Sequence, residues 1–255
     1  MSINVNGVCY KLALQPSKQD HRTFKLSLED HQKDIDLPSA FALIDIDKIN
    51  VYDQGSLGSC TSNAVGQAIR IKTQNKLSIS RLYQYLNSRL LEGTISEDSG
   101  CSILDALKAL KKYYYVDESI YPYDISKFAQ IPDKSIYLEA YKNKPIDKYE
   151  SIQQDAYHLK YVLSVYKQPV ICGISVFSSF NNLDCDYICP IPNPSTDQFL
   201  GNHCVLIIGY DSQNNYIMCN SWSNKWGNNG CCKLPSAYIL NPNLSSEFYT
   251  VSLGF

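Results

Sequence analysis

The hydrophobic period of this chain changes near residue 150, and that change limits the folds open to it. Ala64, Val65, Ala68, Ile69 and Ile71 recur at helical spacing behind Cys60. Leu82, Tyr83, Leu86 and Leu90 form a second stripe, and Ile103, Leu104, Leu107 and Leu110 a third. These patterns predict helices over 60–72, 80–91 and 102–112, with a further one over 151–166. Tyr121-Pro122-Tyr123-Asp124 closes the helical half, and residues 125–150 read as loop with short extended pieces. Beyond them the apolar residues come in short unbroken runs, Pro169–Val176, Cys204–Gly209 and Tyr216–Cys219, each the length of a buried strand. Residues 178–200, with Pro190, Pro192 and Pro194, read as a long loop. A helical block followed by a strand-rich block predicts an α+β fold in two lobes.

Residues 1–36 are polar, carry no sustained period, and read as an extended N-terminal arm. From Leu37-Pro38 to Val51, Pro38 and the alternation in Phe41-Ala42-Leu43-Ile44 favour extended chain over helix. The expected organisation is an arm over 1–36 and one domain over 37–255. Within that domain the helical lobe covers roughly 53–145, and the β-rich lobe roughly 146–235 together with 37–52.

The charge balance, 23 basic against 25 acidic residues, argues against a nucleic-acid partner, whose binding rests on Lys and Arg neutralising phosphates. No apolar stretch approaches the ~18 residues that span a bilayer, so no membrane association is expected. The first residues, Met1-Ser2-Ile3-Asn4-Val5-Asn6, lack the pattern of a secretion signal, which points to a cytoplasmic or viral (virion) setting. In a reducing compartment the ten cysteines read as small buried hydrophobes or reactive groups. Cys172, Cys204 and Cys219 sit in apolar runs. Cys185, Cys189, Cys231 and Cys232 could in principle hold zinc, but the flanking sequence lacks paired short knuckles, and no metal or organic cofactor is expected.

Chemistry concentrates in three short segments, Gln54-Gly55-Ser56-Leu57-Gly58-Ser59-Cys60, Gly201-Asn202-His203 and Cys219-Asn220-Ser221-Trp222. A cysteine attacks well only as a thiolate, and a helix N-terminus together with a protonated His lowers its pKa. Gly55, Gly58 and Ser59 make a natural helix entrance, which puts Cys60 at a helix start. Of the four histidines, His21 and His31 lie in the arm and His158 lies mid-helix. His203, just before an apolar strand, is by elimination the base. Asn220 follows 17 residues later (220 − 203), and its amide oxygen could accept from the ring N–H and orient it. Trp222 could shield that bond from water. The Gln54 side chain and the Cys60 backbone N–H are the natural oxyanion donors.

The order Gln, Cys, His, Asn resembles the papain family of cysteine peptidases. The 143 residues from Cys60 to His203 (203 − 60) fall in that family's window of roughly 130–150. The resemblance covers most of residues 37–235, and Asn220-Ser-Trp-Ser-Asn-Lys-Trp-Gly-Asn-Asn-Gly230 is its most specific part. It implies a papain-like fold, a helical lobe and an antiparallel β-barrel-like lobe with the site in the cleft between them. The implied activity is a thiol endopeptidase acting on protein or peptide substrates through an acyl-enzyme. Gly58, Gly100, Asn202 and Trp222 are then candidates for lining the substrate cleft. Leu57 and Thr61 replace a disulfide cysteine and a tryptophan of the plant and animal members, which resembles a bacterial and viral branch and puts the usual disulfides aside. Leu37-Pro38 resembles a mature N-terminus, so residues 1–36 read either as a short propeptide in the cleft or as a permanent surface arm. Cys9 could cap Cys60 as a disulfide. Other thiol acyl-transfer activities (exopeptidase, ligase, deubiquitinase-like) and a non-enzymatic binding protein on the same fold remain as alternatives.

Overall fold

One helix organises the molecule. In the computed structural model, which describes residues 1–29, 32, 35–143, 146–193 and 195–253, helix α1 (Cys60–Lys72) is buried from Cys60 to Ile69. Such burial needs partners on every side, and Thr61 and Asn63 of its first turn have them. The Thr61 hydroxyl donates to the Cys101 carbonyl (3.0 Å), and the Asn63 side chain to the Ser59 carbonyl (2.9 Å). Helices α2 (Arg81–Glu92) and α3 (Ile103–Tyr113) pack on α1 from one side, and the sheet from the other. Ser80 and Ser102 cap α2 and α3 by accepting from the backbone N–H three residues on. Gly93 ends α2 at φ +78°, a left-handed position suited to glycine.

The chain begins with an antiparallel hairpin of β1 (Ser2–Val5) and β2 (Val8–Lys11). The main sheet joins β3 (Phe24–Lys25), β4 (Phe41–Ala42), β5 (Ile146–Ser151), β6 (Val170–Phe177), β7 (Phe199–Tyr210), β8 (Asn215–Cys219), β9 (Cys231–Pro235) and β10 (Ser245–Leu253). Its order is β3-β5-β10-β6-β7-β8-β9, with β4 paired to β7, and every pairing except β3 with β5 is antiparallel. Short helices α4 (Lys134–Ala140), α5 (Ala156–Ser164) and α6 (Ser236–Ile239) complete the fold. Strand β7 is buried on both faces. Cys204, Leu206 and Ile208 join the core shared with α1, while Val205 and Ile207 join the core enclosed by the β lobe. That explains an apolar run without alternation.

Three readings are corrected. Residues 125–150 hold a 3₁₀ turn (Ile125–Lys127), α4 and β5 rather than loop with short extended pieces. The 178–200 stretch opens with a 3₁₀ turn (Ser178–Asn181) and ends inside β7. The helix expected over 151–166 covers only Ala156–Ser164, because Ile152 still pairs with Phe248 and Asp155 caps the helix. His31 and Pro194 lie outside the described residues.

Under the start of α1, Arg81 donates to Asn63 Oδ1 (2.9 Å), to the Asp53 carbonyl (3.1 Å) and to Glu118, and lies over the rings of Tyr52 and Tyr123. The pair is mostly buried, with side-chain exposures of 10 % and 20 %. Removing one partner of such a pair leaves the other charge uncompensated. Arg81→Ala is expected to destabilise the fold by about 3 kcal/mol, a fall of roughly 6–12 °C in Tm by calorimetry.

Candidate active site

Cys60 is the first residue of α1, and the packing of that helix across β7 brings its thiol beside the backbone of Cys204. His203 precedes Cys204 on β7. Its Nε2 lies 2.8 Å from Asn220 Oδ1, at the end of β8, so the ring donates there and Nδ1 is left free of that bond. Trp222 stacks on the imidazole with centroids 5.0 Å apart and is itself buried, which keeps water from the His203–Asn220 bond. The Asn220 oxygen also accepts from the Ser221 N–H (2.8 Å), fixing the amide. Gln54 is tied to the same segment. Its N–H donates to the Ser221 carbonyl (2.9 Å), and its Oε1 accepts from the Ser221 hydroxyl (2.6 Å), which turns Nε2 towards the cleft.

The cleft is filled by the chain's own arm. Gln54 Nε2 donates to the Lys11 carbonyl at 3.0 Å and to the Leu57 carbonyl at 3.0 Å. Leu14 donates its N–H to the Asn202 carbonyl (3.1 Å), and Gln15 its N–H to the Cys101 carbonyl (3.3 Å). The Lys11 ammonium pairs with Asp98 (2.8 Å), whose carboxylate also accepts from the Gly58 N–H (3.0 Å) and the Tyr85 hydroxyl (2.5 Å). Tyr10 stacks on Trp222 at 5.4 Å, and burial together with nearby Asp53 pushes its phenol up to about 12. Such close approach needs glycines. A Cβ on Gly100, at φ +76°, would stand 1.6 Å from the Ala13 carbonyl oxygen, and one on Gly173 2.6 Å from Leu14.

The arm touches Gln54, Gly58, Cys60, Gly100, Asn202 and Trp222 along one path, and His203 and Asn220 lie behind Trp222. It also overturns two expectations. Cys9 is an exposed free thiol on the hairpin and caps nothing. The Cys60 thiol is raised rather than lowered. Burial dominates, and hydrogen bonds from the backbones of Cys204 and Ala13 offset only part of it. The same burial holds His203 down at about 4 against the Asn220 bond, so thiol and imidazole both rest neutral. Lys11, Ala13, Leu14 and Gly173 had no local signal as cleft residues, and Ser221 lay inside the asparagine segment with no role of its own assigned. Their contacts join positions far apart in sequence. Among the described residues, no group of three or more His, Cys, Asp or Glu is placed to hold a metal ion. Nor is any helix long and apolar enough to cross a membrane.

Burial of the neutral His203 ring makes stability depend on pH. An exposed imidazole takes a proton near 6.5, but the buried one not until about 4. Stability of the covered state is thus fully present above pH 6.5 and is lost as pH falls towards 4, by up to roughly 3 kcal/mol. Thermal melts from pH 7 to 4 should show this loss, and His203→Gln should flatten it.

A helical lobe and an antiparallel sheet that meet along a cleft, one bearing a thiol and the other an imidazole, make the two-lobed α+β architecture of papain-like enzymes. Residues 39–247 match the papain family cysteine protease model, and the chain belongs to that family; it is a cysteine peptidase. A peptidase C1-like protein of Acanthamoeba polyphaga mimivirus, itself uncharacterised, is 34 % identical over 92 % of this chain and 80 % of its own length. Vignain of Phaseolus vulgaris is 25 % identical over 72 % of the chain, which spans only half of vignain's length. Xylellain, a cysteine protease of Xylella fastidiosa, superposes with a TM-score of 0.85 at 32 % identity, over 94 % of this chain and 95 % of xylellain. Procathepsin L 3 of Tenebrio molitor shares the fold at a TM-score of 0.65 and 20 % identity, over 91 % and 75 % of the two chains. The bacterial and viral relatives fit the branch that Leu57 and Thr61 suggested.

Proposed function

We propose that Cys60, His203 and Asn220 are the catalytic set of an endopeptidase, and that residues 1–36 hold it as a zymogen. One observation carries the reading. The Lys11 carbonyl accepts from Gln54 Nε2, the side-chain donor suited to a scissile carbonyl's oxyanion, while Ala13 lies over the Cys60 thiol. With the arm gone, a substrate carbonyl takes that place. Cys60 Sγ attacks it as His203 Nδ1 receives the thiol proton, and Asn220 holds the ring through Nε2. The oxyanion is met by Gln54 Nε2 and the Cys60 N–H. His203 returns the proton to the leaving amine, then deprotonates the water that releases the acyl group.

Passage of the arm through the cleft supports cleavage of internal bonds. Extended chain lies on both sides of the thiol, from Lys11 against Asp98 to Leu14 against Asn202. Under reducing, mildly acidic conditions the protein is expected to yield a product starting near residue 37, read by N-terminal sequencing. Full activity with an intact N-terminus would remove the zymogen reading but leave the peptidase standing. Product analysis on blocked and unblocked peptides separates endopeptidase from exopeptidase and ligase.

A further inference from the structure

Two buried thiols outside the catalytic set stand side by side at the root of the segment that carries Asn220. Cys219 ends β8 and Cys231 begins β9, and the two are register partners in that antiparallel pair. Their sulfurs are 3.3 Å apart. The neighbouring Asn220 N–H donates to the Gly230 carbonyl (2.9 Å), which leaves Cys219 and Cys231 in a non-hydrogen-bonded position. Cα atoms at such positions lie about 4.5 Å apart, inside the roughly 4.4–6.8 Å range that a disulfide spans. Little backbone movement is needed to join them.

We propose that Cys219 and Cys231 are an oxidation site, joined by a peroxide into a cross-strand disulfide that staples both ends of residues 220–230. One thiol gives up its proton as its sulfur attacks the peroxide, forming a sulfenic acid, and the departing hydroxide takes that proton and leaves as water. The second thiol attacks that sulfur and expels a second water. Two thiols lose two electrons and two protons, and one hydrogen peroxide becomes two waters. Burial holds the Cys219 thiol well above its ordinary range, and Cys231 beside it adds to the effect, so the reaction is slow and restricted to a small oxidant. The stapled segment bears Asn220, which orients His203; Ser221, which orients Gln54; and Trp222, which covers the imidazole. Oxidation therefore fixes the groups that hold the site without using any of them.

The test is hydrogen peroxide treatment of the full Cys60→Ala chain, which removes self-cleavage and Cys60 oxidation from the readout. Unfolding, alkylation of the remaining thiols and non-reducing peptide mapping follow. The expected product has lost two hydrogens, links the Cys219 and Cys231 peptides, and melts roughly 5–10 °C higher until reduced. Cys231→Ser should abolish both effects. Cys232→Ser, whose residue packs in the opposite core, should keep both. The proposal fails if Cys219 and Cys231 are recovered alkylated while Cys189–Cys232 or intermolecular links through exposed Cys9 and Cys185 form instead. It also fails if the linked protein melts no higher than the reduced one.

Discussion

Processing to a chain that starts near Leu37 is expected to raise the rate of Cys60 alkylation by iodoacetamide on the order of 10²-fold or more. In the intact chain Cys60 and His203 are both 0 % exposed. Reagent reaches the thiol only when the arm opens, and the observed rate falls by the fraction of time it is open. Opening uncovers Ile3, Val5, Tyr10, Leu12 and Leu14, and breaks the Lys11 pair with Asp98 as well as the Ser17 contacts with Glu247. A cost near 3 kcal/mol already gives two orders of magnitude. Lys11→Met in the intact chain is expected to move the rate only about two- to fivefold, because its ammonium is partly solvated. Equal rates before and after processing would mean that the arm opens freely and inhibits nothing. The processed chain should also label well below pH 8.5, since an uncovered imidazole can then share the thiol proton.

The second large effect concerns catalysis by the processed enzyme. Cys60→Ala and His203→Ala are each expected to lower kcat/KM by on the order of 10⁴ or more on a peptide substrate, and the double variant by little beyond either. Gln54→Ala removes one oxyanion donor and should cost on the order of 10²-fold, mostly in kcat. Asn220→Ala frees the ring and exposes it to the wrong tautomer, with a loss also on the order of 10²-fold. If Gln54→Ala leaves kcat unchanged, the oxyanion is met elsewhere, and the Lys11 carbonyl marks only a docking contact. If Cys60→Ala keeps its activity, the thiol mechanism is wrong.

These outcomes bear on how much could be read before the fold was known. Three helices were legible because Leu, Ile and Ala repeat at 3.6-residue spacing on faces that pack together. Strands β6, β7 and β8 were legible as runs too apolar to lie anywhere but between two cores. Helix α4 was not, since Lys134–Ala140 buries only Ala140 and carries no stripe. Strand β10 carries no alternation to read either, because Phe248, Tyr249, Thr250 and Val251 are all buried, Phe248 in one core and Tyr249 and Val251 in the other.

The site divides in the same way. Local chemistry singled out Cys60, His203, Asn220 and Gln54, because a thiolate, its base, an orienting amide and an oxyanion donor are all needed together and few residues qualify. Residues 1–36 by themselves could be propeptide or surface arm, and nothing in their composition separates the two. Folding put Lys11 against Gln54 and Asp98, Ala13 against Gly100, and Leu14 against Asn202 and Gly173. Those contacts close over separations of tens to nearly two hundred residues, so no local pattern encodes them. The protonation state follows from the same packing. The chain's residue types make a thiolate–imidazolium pair available, but water exclusion by the arm decides that in this state both partners are neutral.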